Sequence, residues 1–82
     1  MASFEELYKR LKNGHCFERD HHYVTIGTCD RWGSPSYGKD YIYWQNYGSS
    51  ANTVSFDEFK WIAQEIFECK TANDFLKYFN EA

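Results

Sequence analysis

The sequence predicts an α+β fold in which helices cover one face of a small antiparallel sheet. Apolar residues recur at helical spacing near both ends of the chain, each time after a Ser or Thr that is followed three residues later by Glu or Asp. That combination is typical of a capped helix start. Between these ends, residues 22–29 and 40–47 show the alternation of strands. The order of helix, strands and helices predicts a two-layer domain.

The first helix is predicted to begin after Ser3, which can form a capping box with Glu6. Asn13 and Gly14 supply a left-handed stop. The residues on its apolar side are Phe4, Leu7, Tyr8 and Leu11.

Three antiparallel strands are predicted to follow this helix. They cover residues 15–20, 22–29 and 40–47. Residues 30–39 contain the only proline and two of the five glycines, which predicts a loop longer than a tight turn. Residues 48–52, with the sequence GSSAN, are predicted to be a break before the next helix.

The third predicted strand has aromatic or apolar side chains on both of its faces. Ile42 and Trp44 point to one side and are assigned to the core, together with Val24 and Ile26 of the preceding strand. The opposite side of these two strands carries a row of tyrosines: Tyr23, Tyr41, Tyr43 and Tyr47. A domain of this size needs only one apolar sheet face for its core, so the second face must be covered or used.

Two helices are predicted at the C-terminal end. Ser55 and Glu58 form a capping box that opens a helix from Phe56 to about Lys70. Thr71 repeats the capping signature and predicts a separate short final helix. The apolar arc of the longer helix is Phe59, Ile62, Ala63, Ile66 and Phe67. Trp61 falls on the opposite, acidic side, where a large ring is unexpected.

Composition limits the possible function classes. A length of 82 residues predicts a single domain over 1–82, with 43% hydrophobic and 26% charged residues. The net charge of −3 lacks the basic excess of nucleic-acid binders. No stretch approaches the roughly 20 apolar residues of a membrane span, and no signal peptide is recognised, so we expect a cytoplasmic protein.

The sequence contains no convincing catalytic or metal-binding pattern. Its three cysteines, Cys16, Cys29 and Cys69, include no CxxC pair, and the spacings to His15, His21 and His22 are looser than those of structural zinc sites. No phosphate-binding glycine motif or nucleophile turn occurs. We therefore expect no enzymatic activity, no metal and no cofactor.

The candidate binding surface is the tyrosine face of the sheet. Tyr, Trp and Arg are enriched at interaction hot spots. The predicted contact residues are Tyr23, Tyr41, Tyr43 and Tyr47, joined by Arg31, Trp32 and Tyr37 of the loop, with Trp61 as a second anchor if the last helix leaves it open. Two alternatives explain the same pattern: the rings cover one another as cross-strand pairs, or the face forms a homodimer. A single-stranded nucleic-acid platform would need a basic groove, which is missing.

These observations predict a non-enzymatic protein-binding module that acts by occupying a surface. In composition it resembles the small acidic inhibitors encoded by phages and mobile elements, which would make it an inhibitor of a larger protein machine. The alternative is a small-ligand binding or sequestering protein, in which the tyrosines and the loop line a pocket at an oligomer interface.

Overall fold

The computed structural model describes residues 2–46 and 48–82, and it confirms an α+β fold with an N-terminal helix, an antiparallel sheet and C-terminal helices. The helices are α1 (Phe4–Lys12), α2 (Phe56–Trp61) and α3 (Ala72–Tyr78), and a π-helical turn (Ile62–Ile66) directly follows α2. The strands are β1 (Phe17–Arg19), β2 (His22–Thr28), β3 (Asp40–Gln45) and β4 (Ser49–Thr53).

The sheet has four strands, so the prediction of three strands was wrong. Its order is β1-β2-β3-β4, with every neighbouring pair antiparallel. The extra strand β4 occupies most of the segment that was predicted to be a break. Ser, Ala and Asn carry little strand propensity, and here pairing with β3 overrides the local preference. The backbone N–H of Asn46 donates to the carbonyl of Gly48 at 3.2 Å, where the chain turns from β3 towards β4.

The predicted assignment of the sheet faces is confirmed. Val24 lies opposite Trp44, and Ile26 lies opposite Ile42, so all four residues share the face that packs against the helices. Val24 and Ile42 are fully buried. The other face, called the open face below, carries Tyr23, Thr25 and Gly27 of β2, Tyr41 and Tyr43 of β3, and Ala51 and Thr53 of β4.

Phenylalanines form the centre of the core. Phe75 of α3 packs edge-on against Phe17 of β1 and Phe59 of α2, with ring centroids 5.0 and 5.5 Å apart. Phe79 lies 4.9 Å from Phe75. The high aromatic content is therefore explained in part by the core: in a small domain, large and stiff rings bury more apolar surface per residue.

All three predicted helix caps are present. The side chains of Ser3, Ser55 and Thr71 accept hydrogen bonds from backbone N–H groups three residues later, at 3.1 to 3.3 Å. Among the described residues, no helix has the length and apolar character that a membrane crossing requires.

The predicted helix from Phe56 to about Lys70 was too long. After α2 the backbone widens into the π-helical turn, where the N–H of Phe67 donates to the carbonyl of Ile62 at 3.0 Å. Glu68 then adopts a left-handed conformation, with φ at 57°. Phe67 and Cys69 are both buried, each 4% exposed. Residues two apart in a helix lie about 200° apart, so a continuous helix could not bury both.

Candidate functional site

Tyr41 and Tyr43 lie side by side on the open face and cover part of each other. Their ring centroids are 6.4 Å apart in an edge-to-face arrangement. The ring of Tyr43 lies over Gly27 so closely that a Cβ atom at Gly27 would come within 2.7 Å of Cε2 of Tyr43. Both tyrosines are consequently half-buried. Part of each ring stabilises the sheet, and the remainder faces solvent.

The position of Tyr43 affects its ionisation. Partial burial raises the pKa of the Tyr43 phenol, and the nearby Cys29 and Asp30 raise it further. A tyrosine hydroxyl group is protonated at neutral pH even without this shift, so that of Tyr43 can donate a hydrogen bond to a ligand or partner.

The loop between β2 and β3 is held together by its own hydrogen bonds. At its base, the N–H of Cys29 donates to the carbonyl of Lys39 at 2.9 Å, and the N–H of Gly38 donates to the carbonyl of Cys29 at 2.8 Å. Within the loop, the N–H of Tyr37 donates to the carbonyl of Ser34 at 3.0 Å. These bonds define the conformation of the loop. We call residues 29–39 the arm.

The arm presents two exposed aromatic side chains. Trp32 is 86% exposed and Tyr37 is 51% exposed. Their rings pack edge to face with centroids 5.3 Å apart. The pair therefore forms one aromatic projection beyond the end of the sheet.

Arg31 joins the tyrosines in a shallow pocket where the arm meets the open face. This pocket has a volume of about 240 Å³ and is lined by Cys29, Arg31, Ser34, Ser36, Tyr41, Tyr43 and Ala51. Arg31 forms no ion pair with any described residue. Three predicted contact residues thus come together here, whereas Tyr23, Trp32 and Tyr37 lie outside the pocket lining. Tyr47, also predicted, lies outside the described residues.

The small-ligand alternative had placed the loop that contains Ser34 and Ser36 in a pocket with the tyrosines, and both serines do line this one. Sequence reasoning missed Cys29 and Ala51 as lining residues. Ala51 could be placed only after β4 was known to pair with β3, since its register opposite Tyr43 brings it to the open face.

Trp61 lies away from the open face. It is 46% exposed, so α3 does not cover it. It lines a groove with Asn52 of β4 and with Asp57 and Glu58 of α2. Because Asn52 is opposite the buried Ile42, this groove lies on the helix side of the sheet.

The thiols and histidines have structural surroundings. Cys16 is exposed, Cys29 is partly exposed and Cys69 is buried. Burial raises the pKa of Cys69 to about 11, and desolvation also raises that of Cys16, which disfavours the reactive thiolate at neutral pH. Within residues 2–46 and 48–82, no three His, Cys, Asp or Glu side chains are grouped so that they could hold a metal ion.

The histidines nearest to β1 contact the C-terminal part of the chain. Nε2 of His15 lies 2.8 Å from a carboxylate oxygen of Glu81. His22 forms a hydrogen bond with the hydroxyl group of Tyr78. These contacts attach β1 and β2 to α3 and to the residues after it.

Comparison of the chain with protein-family models, curated proteins and solved structures finds no match.

Proposed function

We propose that this protein is a non-enzymatic binding module that occupies the surface of a larger protein through the arm and the adjoining open face. The observation that carries the proposal is the exposure of Trp32 at the end of a hydrogen-bonded arm, in contact with Tyr37. Covering a large exposed ring removes apolar surface from water, which lowers the free energy of the complex. Because the arm is already ordered by internal hydrogen bonds, less conformational entropy is lost on binding.

The residues beside the aromatic projection support a protein partner. Arg31, Tyr41 and Tyr43 lie in one pocket next to the arm, and Arg31 has no ion-pair partner among the described residues. Exposed aromatic anchors next to an arginine are the usual composition of an interaction hot spot. A partner that covers Trp32 would also reach this pocket.

The charges around the open face support protein over nucleic acid as the partner. One guanidinium nitrogen of Arg19 donates a hydrogen bond to the carbonyl of Tyr78 at 2.8 Å, so this side chain is held against α3. Arg31 and Lys39 belong to the arm, and Asp30 and Asp40 offset their charges. Neutralisation of a phosphate backbone would therefore be poor.

In biological terms we propose a stoichiometric inhibitor of the phage or mobile-element type, a proposal that rests on composition.

A small-ligand binding protein is the second candidate, favoured by the pocket around Arg31. Its volume of about 240 Å³ is below the roughly 300 to 1,000 Å³ of most small-molecule sites. A second copy of the chain would be needed to enclose a ligand. Light scattering followed by a thermal-shift screen of small molecules tests this: a monomer whose unfolding temperature no compound raises would contradict it.

The main test removes the aromatic projection. The Trp32→Ala/Tyr37→Ala double variant should keep its thermal unfolding temperature, because both side chains are largely exposed, and should weaken partner binding by roughly 30-fold or more, as expected for hot-spot residues. The partner is first captured from the native host with the unaltered protein. Dissociation constants are then measured with purified components by calorimetry.

Two further variants make this test specific. Trp32→Phe/Tyr37→Phe keeps a ring at each position and should retain most of the affinity. Lys9→Ala/Arg10→Ala changes two exposed residues of α1 and should bind like the unaltered protein. Undiminished binding by the alanine variant of the projection would refute the proposed site. Tyr41→Ala/Tyr43→Ala should also weaken binding, provided that circular dichroism shows the variant still folds.

A further inference from the structure

The two edges of the sheet differ in how they are protected. The edge strand β1 has three residues, of which Glu18 and Arg19 are charged. The Arg19 side chain reaches the carbonyl of Tyr78, and His15 just before β1 pairs with Glu81. Short length and charged side chains are the usual protection of an edge strand against further pairing. The β1 edge is thus closed to another strand.

The opposite edge, β4, lacks this protection. It has five residues, Ser49–Thr53, with no charged residue and no proline, and among the described residues β3 is its only neighbour in the sheet. One side of its backbone therefore presents N–H and C=O groups that no strand of the described chain uses. Five residues span roughly 17 Å, enough for a short extended segment to pair along it.

Each of the two hollows described above is lined by one residue of β4. Ala51 lines the pocket with Tyr41 and Tyr43 on the open face. The next residue, Asn52, lines the groove with Trp61 on the helix face, whose volume is about 480 Å³. Consecutive residues of a strand point to opposite faces, so an added strand would direct alternate side chains towards the two hollows.

We propose that β4 accepts an extended segment of the protein partner as a fifth strand, with Lys or Arg at the positions that face Trp61. This inference rests on the proposed function and specifies the chemistry of the partner. The added strand would gain backbone hydrogen bonds from β4 and side-chain selectivity from the two hollows, which is the usual division of roles in strand addition.

Charge complementarity identifies the segment as basic. Asp57 and Glu58 line the groove beside Trp61, and neither forms an ion pair within the described part of the chain. A Lys or Arg side chain could contact both the carboxylates and the face of the indole ring, where cation–π attraction adds to the ion pair. On the open face, an added strand would lie beside the small apolar residue Ala51, which favours an apolar side chain at the intervening positions.

The same charges argue against a second copy of this chain as the occupant. Pairing of β4 with β4 of another copy about a two-fold axis would bring two sets of acidic groove residues towards each other. Like charges that face each other across an interface are unfavourable. A basic segment has no such cost.

The probe is a synthetic peptide, acetyl-TKVKVKT-amide, in which lysine alternates with apolar valine. We expect it to slow the amide hydrogen exchange of residues 51–53 and to shift the indole N–H resonance of Trp61 in nuclear magnetic resonance spectra. The reordered peptide acetyl-TKKKVVT-amide, with the same charge, and the charge-reversed acetyl-TEVEVET-amide should each bind at least tenfold more weakly. The comparison separates strand pairing from general attraction between opposite charges.

Matched variants locate the binding site. Asp57→Asn/Glu58→Gln should weaken binding of the alternating peptide at least tenfold. Glu18→Gln/Asp20→Asn removes two negative charges from exposed positions at the opposite edge of the sheet. It should leave the affinity within about twofold, because three strand spacings, about 14 Å, exceed the Debye length of roughly 8 Å. Trp61→Phe should weaken binding less than Trp61→Ala.

Several outcomes would overturn the inference. Equal binding of the reordered peptide, unchanged exchange in β4, or a dimer whose β4 amides are protected before peptide is added would each do so. Failure here is distinguishable from failure of the proposed function. If the peptides do not bind but Trp32→Ala/Tyr37→Ala still loses the native partner, only the edge inference falls. If the peptides bind and that variant keeps its partner, only the arm site falls.

Discussion

Tyr43 rests on Gly27, and this contact determines how much of the open face a partner can reach. The alternation of β3 predicted the correct face for Tyr43, because side-chain direction in a strand follows from position alone. It could not predict that the ring lies against the sheet. The ring can lie there because the neighbouring strand has a glycine, Gly27, at this position. A Cβ atom at Gly27 would lie only 2.7 Å from Cε2 of Tyr43.

Cys69 makes the stability of the protein depend on pH. Burial raises its pKa to about 11 from 9.0 for an unperturbed thiol. Well below pH 9 the thiol is protonated in both the folded and the unfolded state. As the pH rises from 9 through 11, the unfolded state releases its proton first, so the free energy of unfolding falls, by about 2 to 3 kcal/mol for a shift of this size.

The measurement is urea unfolding at several pH values between 8 and 11. Other groups titrate in this range, so the informative quantity is the difference in slope between the unaltered protein and Cys69→Ala, which should lose less stability with rising pH. Cys29→Ala, at a partly exposed position, serves as the matched control. Parallel pH profiles for the unaltered protein and Cys69→Ala would contradict this account.

At the scale of secondary structure, the end of α2 shows where sequence patterns stop being informative. The apolar spacing continues through Phe67, so periodicity alone predicts a longer helix. The chain instead widens into the π-helical turn, and the Asn46 side chain donates to the carbonyl of Ile66 at 2.9 Å. This bond joins the end of β3 to the end of the helical segment. Its two residues are 20 positions apart in the sequence, so no local pattern predicts it.

Glu68 is the residue at this helix end whose substitution can increase the stability of the protein. Its φ of 57° places a side chain in the left-handed region, where glycine has no steric penalty. Glu68→Gly should raise the free energy of unfolding by about 1 kcal/mol, as measured by chemical denaturation. Glu65→Gly, at an exposed position within the π-helical turn, should instead lower it by roughly 1 kcal/mol. A loss of stability in Glu68→Gly would show that the Glu68 side chain contributes more than its backbone costs.

At the scale of the whole molecule, the sheet is closed on one edge and open on the other. The contacts of Arg19 and His15 with the C-terminal residues protect β1. β2 and β3 are central and paired on both sides, whereas in the part of the chain that the structure describes β4 is paired on one side only. The fold thus combines a stable centre with one free edge, next to the surfaces proposed for binding.

Hydrogen exchange tests this asymmetry directly. In the protein alone, amides in the middle of β2 and β3 should exchange with rates set by global unfolding. Amides of β4 that point away from β3 should exchange at least tenfold faster. Slow exchange of every β4 amide would mean that another chain or another part of this one covers the edge.

Local chemistry determined much of this protein from its sequence alone. The three capped helix starts, the side-chain faces of β2 and β3 and the arm as a loop all follow from short-range rules, because caps, alternation and turn residues act within a few positions of the chain. The tertiary structure decided the rest. β4 exists because β3 has a second edge to pair with, the helix after Phe56 ends early because Phe67 and Cys69 must both be buried, and Trp61 stays exposed because α3 packs elsewhere. Each of these outcomes depends on contacts between residues distant in sequence, which local patterns do not encode.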